Sequence, residues 1–183
     1  MKFDGMMQWY IMRGTGTVLM ALLTLSTAMG VMSTARFGSA LWPRFATQAL
    51  HRNVSLLTMA MLTSHVGIAI YDEVVDIRWY DAFVPRPGAY HGYWLWLGTL
   101  STDVMLAVVI TSLLRHRLSH RIWRALHVAA YVSWIFGLLH GIGIGTDSTA
   151  AWEMGVTVTS VGVVAAVAVV RLATLAHERK IAA

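Results

Sequence analysis

The chain has 183 residues, of which 57% are apolar and only 13% are charged, whereas about a quarter of the residues in an average soluble domain are charged. The absence of cysteine excludes disulfides, iron–sulfur clusters and the C-x-x-C-H attachment of c-type haem. In a chain this apolar, the net charge of +5 is first interpreted as a marker of membrane topology, and we expect no nucleic-acid partner.

Apolar residues fall in five blocks long enough to cross a bilayer, which takes about 20 helical residues. The first block is longer than the roughly 7–15 residues of a signal-peptide core and contains Arg13, so we expect it to be retained as a helix. The sequence predicts an all-α fold in one domain over 1–183, a polytopic membrane helical bundle. Its five transmembrane helices are predicted at about 10–33, 48–71, 93–114, 122–145 and 150–173.

Basic residues predict the orientation of the bundle. Ten of the 14 Lys and Arg residues lie in, or within a few residues of, the connection between blocks 1 and 2, the connection between blocks 3 and 4, and the C-terminal tail. Because cytoplasmic loops are enriched in these residues, we expect the N-terminus outside and the C-terminus in the cytoplasm.

The long segment from Asp72 to Gly92 is then extracytoplasmic. Its aromatic residues are typical of an interfacial belt, and a lid over an outer redox site is the alternative. Its acidic residues predict a docking surface for a basic partner or a metal cation. These residues are Asp72, Glu73, Asp76 and Asp81.

Histidines mark the second and fourth blocks. His51 and His65 lie 14 residues apart in one, and His127 and His140 lie 13 apart in the other, or roughly 20 Å of helix in each case. Because both helices run in the same direction, the four rings form two levels with one ring per helix. Paired imidazoles suit iron in a flat macrocycle, whereas zinc needs three or four ligands at one level. A lone membrane histidine could instead make an interhelical hydrogen bond.

The spacing in the fourth block does not fit a regular helix. Thirteen residues fall about 140° short of returning to the same face. We therefore expect either a distortion between His127 and His140, with Gly137 as the residue that permits a bend, or two rings that approach their sites from different directions around the helix axis.

Several motifs together resemble one family. The run from Arg121 to His127 reads R-x-W-R-x-L-H, and His140 follows after twelve residues. This pattern, with the two histidines of the second block, is similar to the ferric reductase-like transmembrane domain. That family includes the haem-bearing part of NADPH oxidases, ferric reductases and the membrane partner of bacterial methionine sulfoxide reductase. Further matching stretches are Trp9–Gly16, Gly98-Thr99, Thr111–Arg115 and His140–Asp147.

The resemblance implies two haem b groups, each held by one histidine from each helix. His51 and His127 would ligate the cytoplasmic-side iron, and His65 and His140 the outer iron. Haem propionates need cationic partners. Four arginines are candidates for that role: Arg13 for the outer haem and Arg52, Arg121 and Arg124 for the inner one. Trp134, between the fourth-block ligands, is a candidate bridge between the haems, with core packing as the alternative.

The implied function is transmembrane electron transfer by a stand-alone bacterial member in the cytoplasmic membrane. The family often has six helices where five are predicted here, and no G-x-G-x-x-G motif for flavin or nicotinamide follows the last block. We therefore expect a separate donor, a flavoprotein reductase or quinol, and an extracytoplasmic acceptor such as ferric iron, oxygen or a redox partner protein. Whether the chain is itself an enzyme stays open. The alternative function is a haem-containing membrane anchor of a larger respiratory or reductase complex.

Overall fold

The computed structural model describes residues 5–34, 43–72, 75–86 and 90–182. All regular structure in these residues is helical, as predicted, with short 3-10 turns at Trp79–Ala82 and Arg115–Arg117. Arg36 of the first predicted cytoplasmic loop and Glu73 of the predicted docking surface lie outside the described residues. The α-helices are α1 (Gly5–Thr34), α2 (Arg44–Ile70), α3 (Gly92–Leu113), α4 (His120–Val128), α5 (Ala130–Ile144) and α6 (Ala151–Ala182).

Five helical segments of the described chain are long and apolar enough to cross a membrane. Four of them are α1, α2, α3 and α6, and the fifth is the continuous segment His120–Ile144 made by α4 and α5. These segments match the five predicted helices. The largest difference in length is at α6, which continues to Ala182 where the sequence predicts an end near Ala173.

The α-helical hydrogen bonding of the fourth span is interrupted between its two histidines, which is one of the two arrangements that the 13-residue spacing allows. The break is at Ala129, where N–H groups bond to carbonyls three residues back on both sides of the junction, Ala129 to Leu126 and Val132 to Ala129. The expectation that Gly137 forms the bend is wrong, because Gly137 lies inside continuous α5. The 13-residue spacing leaves His140 about 140° away from the face of His127, and one 3-10 turn adds only about 60° of rotation to an α-helical path. The remaining rotation must come from the helix junction and the side-chain torsions.

Small polar residues let the helices approach closely. The Ser101 hydroxyl of α3 donates to the Ser133 carbonyl at 2.9 Å, and the Ser133 hydroxyl donates to the Ser101 carbonyl at 3.0 Å. A hydrogen bond of 2.7 Å likewise joins the hydroxyls of Ser26 in α1 and Ser55 in α2. Interfaces of small residues with interhelical hydrogen bonds are typical of membrane helices, which have no hydrophobic drive to associate. The bundle is therefore built from two close pairs, α1 with α2 and α3 with the α4–α5 span.

The two ends of the bundle differ in charge. One end, here called the basic end, carries the exposed arginines of the turn between α3 and α4, among them Arg115 and Arg117. The other end, here called the loop end, carries the segment between α2 and α3 and the short α5–α6 turn. Helix α6 packs mainly along α1 and leaves most of its apolar surface outward, as expected for a helix that faces lipid.

Candidate functional site

The four predicted histidines form two cross-helix pairs. His51 of α2 and His127 of α4 make the basic-end pair, with ring centres 6.2 Å apart and planes at 81°. His65 of α2 and His140 of α5 make the loop-end pair, and both line one cavity. Fourteen residues of unbroken α2 separate the two levels by about 21 Å.

Helix α1 orients both histidines of α2. Nδ1 of His51 lies 3.0 Å from the backbone oxygen of Ser26, and Nδ1 of His65 lies 3.2 Å from the hydroxyl of Thr15. The Thr15 hydroxyl in turn donates to the Met12 carbonyl at 2.9 Å, which leaves its oxygen free to accept from the imidazole. Each ring of α2 is therefore held by a polar atom of α1.

Helix α3 orients the two histidines of the fourth span in the same way. Nδ1 of His127 lies 3.3 Å from the hydroxyl of Ser112, and Nδ1 of His140 lies 2.9 Å from the backbone oxygen of Trp94. Helices α1 and α3 thus supply one Nδ1 partner to every histidine of the two pairs.

These contacts select which ring nitrogen is available to a metal. A carbonyl oxygen only accepts hydrogen bonds, so Nδ1 of His51 and of His140 carries the proton, and Nε2 carries the lone pair. A second hydrogen bond from the other ring nitrogen is the usual device that fixes the tautomer and direction of a metal-ligating histidine.

Glycines make room for three of the rings. A Cβ added at Gly30 would lie 3.4 Å from Cε1 of His51, and one at Gly16 would lie 3.1 Å from Cε1 of His65. At Gly98 the added Cβ would lie 2.6 Å from Nδ1 of His140. The contact at Gly98 excludes a side chain unless the His140 ring moves, the contact at Gly16 is tight, and the contact at Gly30 is close to an ordinary van der Waals distance. Gly16 and Gly98, like Thr15 and Ser112, belong to the motifs that carry the family resemblance, so a sequence signal for them existed.

A cavity of about 280 Å³ separates α1, α2, α3 and α5 at the loop end. Its wall combines the rings of His65 and His140 with apolar side chains such as Leu62, Met105 and Leu138. This volume is near the lower end of the roughly 300–1,000 Å³ found for small-molecule sites. An apolar space with two inward imidazoles has the chemistry of a cofactor site.

The segment between α2 and α3 lies over this cavity. Val75, Ile77 and Ala82 contribute to its wall, and Ala82 is buried. Trp79 and Phe83 in the same segment are 67% and 51% exposed, as predicted for an interfacial belt. The segment therefore covers the loop-end site and presents aromatic residues outward, so the two interpretations of its sequence are compatible.

Asp81 does not belong to a docking surface, which corrects the prediction made for it. Its side chain is 1% exposed and accepts hydrogen bonds from Nε of Arg86 at 2.8 Å and from the backbone N–H of Arg78 at 2.8 Å. The Arg86 guanidinium holds the pKa of the Asp81 carboxyl below its ordinary value. Asp81 instead fastens the covering segment, and its carbonyl accepts from Thr99 of α3 at 2.6 Å. Asp76 is exposed, as a docking residue must be.

The predicted arginines occupy two kinds of environment. Arg13 lines the loop-end cavity, forms an ion pair with Asp147 and has its guanidinium 4.3 Å from the Trp9 ring centre. Its predicted cofactor role stays a prediction, and it already has a carboxylate partner. The side chains predicted for the other haem, Arg52, Arg121 and Arg124, are exposed at the basic end.

Trp134 is buried between the two levels. It packs with Leu23 and Met105, and its Nε1 donates to the Thr24 hydroxyl at 3.0 Å. Both interpretations of Trp134, core packing and a bridge, are compatible with this position.

The donor set fits an iron macrocycle at each level. Two imidazoles on opposite sides of one metal, each nitrogen about 2 Å from it, place their ring centres about 6 Å apart, close to the 6.2 Å of the basic-end pair. Within the described residues, no three His, Cys, Asp or Glu side chains gather as a metal site. Paired imidazoles are the donor set that a macrocyclic iron would take, whereas a structural zinc site needs three or four ligands at one level.

Fold and site together define a multi-pass helical membrane protein with two histidine pairs at different levels along its helices. Residues 15–138 match the family model described as ferric reductase like transmembrane component, and the chain belongs to that family. Membership gives the chain a role in membrane electron transfer. No curated protein and no solved structure matches the chain.

Proposed function

We propose that the chain is a di-haem b-type electron-transfer protein. The observation that carries this proposal is that all four histidines are paired across helices and held through Nδ1 by α1 or α3. His51 and His127 would bind one haem iron, and His65 and His140 the other.

When bound, each haem iron supplies a one-electron couple. One pair of imidazoles would hold each haem iron, which would leave no position at the metal for oxygen or substrate. The contacts of α1 and α3 with Nδ1 would hold the four imidazoles in place while the iron changes oxidation state. This arrangement favours electron transfer over chemistry at the iron.

Between the levels, buried apolar residues exclude water. Leu23, Met105 and Trp134 form this core, and Ser101 and Ser133 close the helix interface beside it. The two histidine levels lie about 21 Å apart along α2, so the two haems would connect one membrane face with the other.

With the orientation predicted from Lys and Arg, the basic end lies in the bacterial cytoplasm. A flavoprotein reductase or quinol would then deliver electrons to the basic-end pair, and an extracytoplasmic acceptor would receive them at the loop end. Ferric iron, oxygen and a partner redox protein are the acceptor classes that this proposal includes.

Proteoliposomes that contain ferricyanide test the proposal. Dithionite added outside should reduce the haems, and the internal ferricyanide should then be consumed one electron per molecule. His65→Ala, which removes one level, should slow this consumption to the rate of liposomes without protein. If wild-type haems are reduced while internal ferricyanide stays unconsumed, the chain is not a conduit, and the membrane-anchor alternative is favoured.

A further inference from the structure

The indole of Trp123 contains a buried hydrogen-bond donor that the protein leaves without an acceptor. Within the described residues, its Nε1 is the one buried side-chain nitrogen or oxygen atom that has no hydrogen-bond partner. Nε1 of Trp134, by contrast, donates to Thr24. A buried donor without an acceptor destabilises a protein by about 1–3 kcal/mol. Because the other buried side-chain polar atoms of the described residues have partners, the unpaired Trp123 N–H indicates an acceptor from outside the chain.

The surroundings of Trp123 show what kind of acceptor fits. The indole stacks on the ring of His127, with centres 4.9 Å apart and planes at 24°. The guanidinium of Arg115 lies over the indole ring, 4.6 Å from its centre. A neutral N–H donor and a positive charge therefore lie close together, and Trp123 is one helical turn from His127, a proposed haem ligand, which favours an anionic acceptor.

We propose that Trp123 Nε1 and Arg115 form a carboxylate-binding subsite of the basic-end cofactor site. This inference rests on the proposed function, because the carboxylate would be a propionate of the haem bound by His51 and His127. It differs from the sequence prediction, which gave that role to Arg52, Arg121 and Arg124. Those three side chains are exposed, whereas the Trp123 donor is buried beside the ligand.

Stacking gives Trp123 a second effect, on ligand position. The indole covers one face of the His127 imidazole, while Ser112 binds its Nδ1. A carboxylate bound to Nε1 would hold the indole and thereby the His127 ring. Loss of the N–H alone should then alter the basic-end haem without removing its ligands.

Trp123→Phe removes the N–H and keeps an aromatic ring on His127. The matched control is Trp96→Phe in α3, whose lost N–H donates to the Arg86 carbonyl at 3.0 Å. The purified holoprotein is titrated spectroscopically for the midpoint potential of each haem, and haem loss to apomyoglobin is followed. We expect Trp123→Phe to lower one of the two midpoint potentials, because a carboxylate without its donor is effectively more negative. We also expect about tenfold faster loss of that haem, the usual effect of one charge-assisted hydrogen bond.

Arg115→Gln provides a second variant, at an exposed residue, which keeps the Trp123 indole and removes the positive charge. It should shift the same midpoint potential in the same direction. Arg117→Gln, in the same short turn, controls for the general loss of one positive charge.

The outcomes separate this subsite from the function on which it rests. A wild-type protein that binds no haem contradicts the proposed function. A wild-type protein with two haems, whose potentials and haem loss are unchanged in both Trp123→Phe and Arg115→Gln, overturns the subsite alone. An equal shift in Arg115→Gln and Arg117→Gln also overturns it, because the effect is then one of surface charge.

Discussion

The backbone oxygen of Trp94 lies 2.9 Å from Nδ1 of His140, so a carbonyl of α3 orients a ligand candidate on α5. Every residue has a backbone carbonyl, so this contact does not depend on the side chain at position 94. It depends on how α3 is rotated about its own axis. The contact is possible because Gly98, one turn further along α3, lets the imidazole approach the helix backbone. Helix packing therefore positions the ligand.

Gly98→Ala should disable the loop-end site. The added Cβ would lie 2.6 Å from Nδ1 and 2.7 Å from Cε1 of His140, so the ring must move away from the Trp94 carbonyl. Overpacking of this kind destabilises proteins by about 1–3 kcal/mol. We expect haem content to fall from two groups per chain to about one, measured as the pyridine haemochrome of purified protein.

The matched control is Gly14→Ala in α1, where an added Cβ meets nothing within 4 Å. It should keep both haems, and its unfolding temperature should not fall, since alanine favours helix over glycine. Equal haem content in Gly98→Ala and Gly14→Ala would show that His140 does not need the space beside Gly98.

The orientation can be measured directly because the chain has no cysteine. Trp79→Cys places a thiol at the loop end, on a side chain that is 67% exposed, and Arg117→Cys places one at the exposed basic end. The excess of Lys and Arg at the basic end predicts that a membrane-impermeant maleimide labels intact cells only at position 79. After permeabilisation both variants should react. Labelling of intact cells only at position 117 would reverse the topology.

The levels of the histidines could be predicted because they depend on distance along two helices. A rise of about 1.5 Å per residue converts the spacing of His51 and His65 into a separation, and the same holds for His127 and His140. The Nδ1 partners could not be predicted, because they depend on the rotation of α1 and α3 about their axes. Two of these partners, at Ser26 and Trp94, are backbone oxygens that no residue type reveals.

Two errors have local causes. The sequence predicts a bend at Gly137 because glycine weakens helices. The α-helix is instead interrupted at Ala129, although alanine has a high helix propensity. Asp81 was predicted as a surface carboxylate because loop acids are usually solvated. Its partner Arg86 is only five residues away, but the covering segment must fold back before the two side chains meet.

The Asp81–Arg86 pair predicts how acid affects the covering segment. Because the folded-state pKa of Asp81 is lowered by Arg86, the pair stabilises the segment fully above the ordinary aspartate pKa of about 4. That stabilisation is lost as the pH falls through the lowered value. A nitroxide on Phe83→Cys should therefore become mobile only in acid, below about pH 4.

In an Asp81→Asn background the same label should be mobile at neutral pH, because the pair is missing. Asp76→Asn, which changes an exposed carboxylate, is the control and should behave like the parent. If the nitroxide spectra of Asp81→Asn and its parent coincide at neutral pH, the pair does not fasten the segment.

The most direct test of the central claim measures haem per chain in two double variants. Pairing across helices predicts that His65→Ala with His140→Ala removes one level and leaves one haem. It also predicts that His51→Ala with His65→Ala, both in α2, damages both levels and leaves none. Reduced-minus-oxidised spectra with haem quantified per chain give the answer. Equal haem content in the two double variants, or two haems in either, would contradict the account.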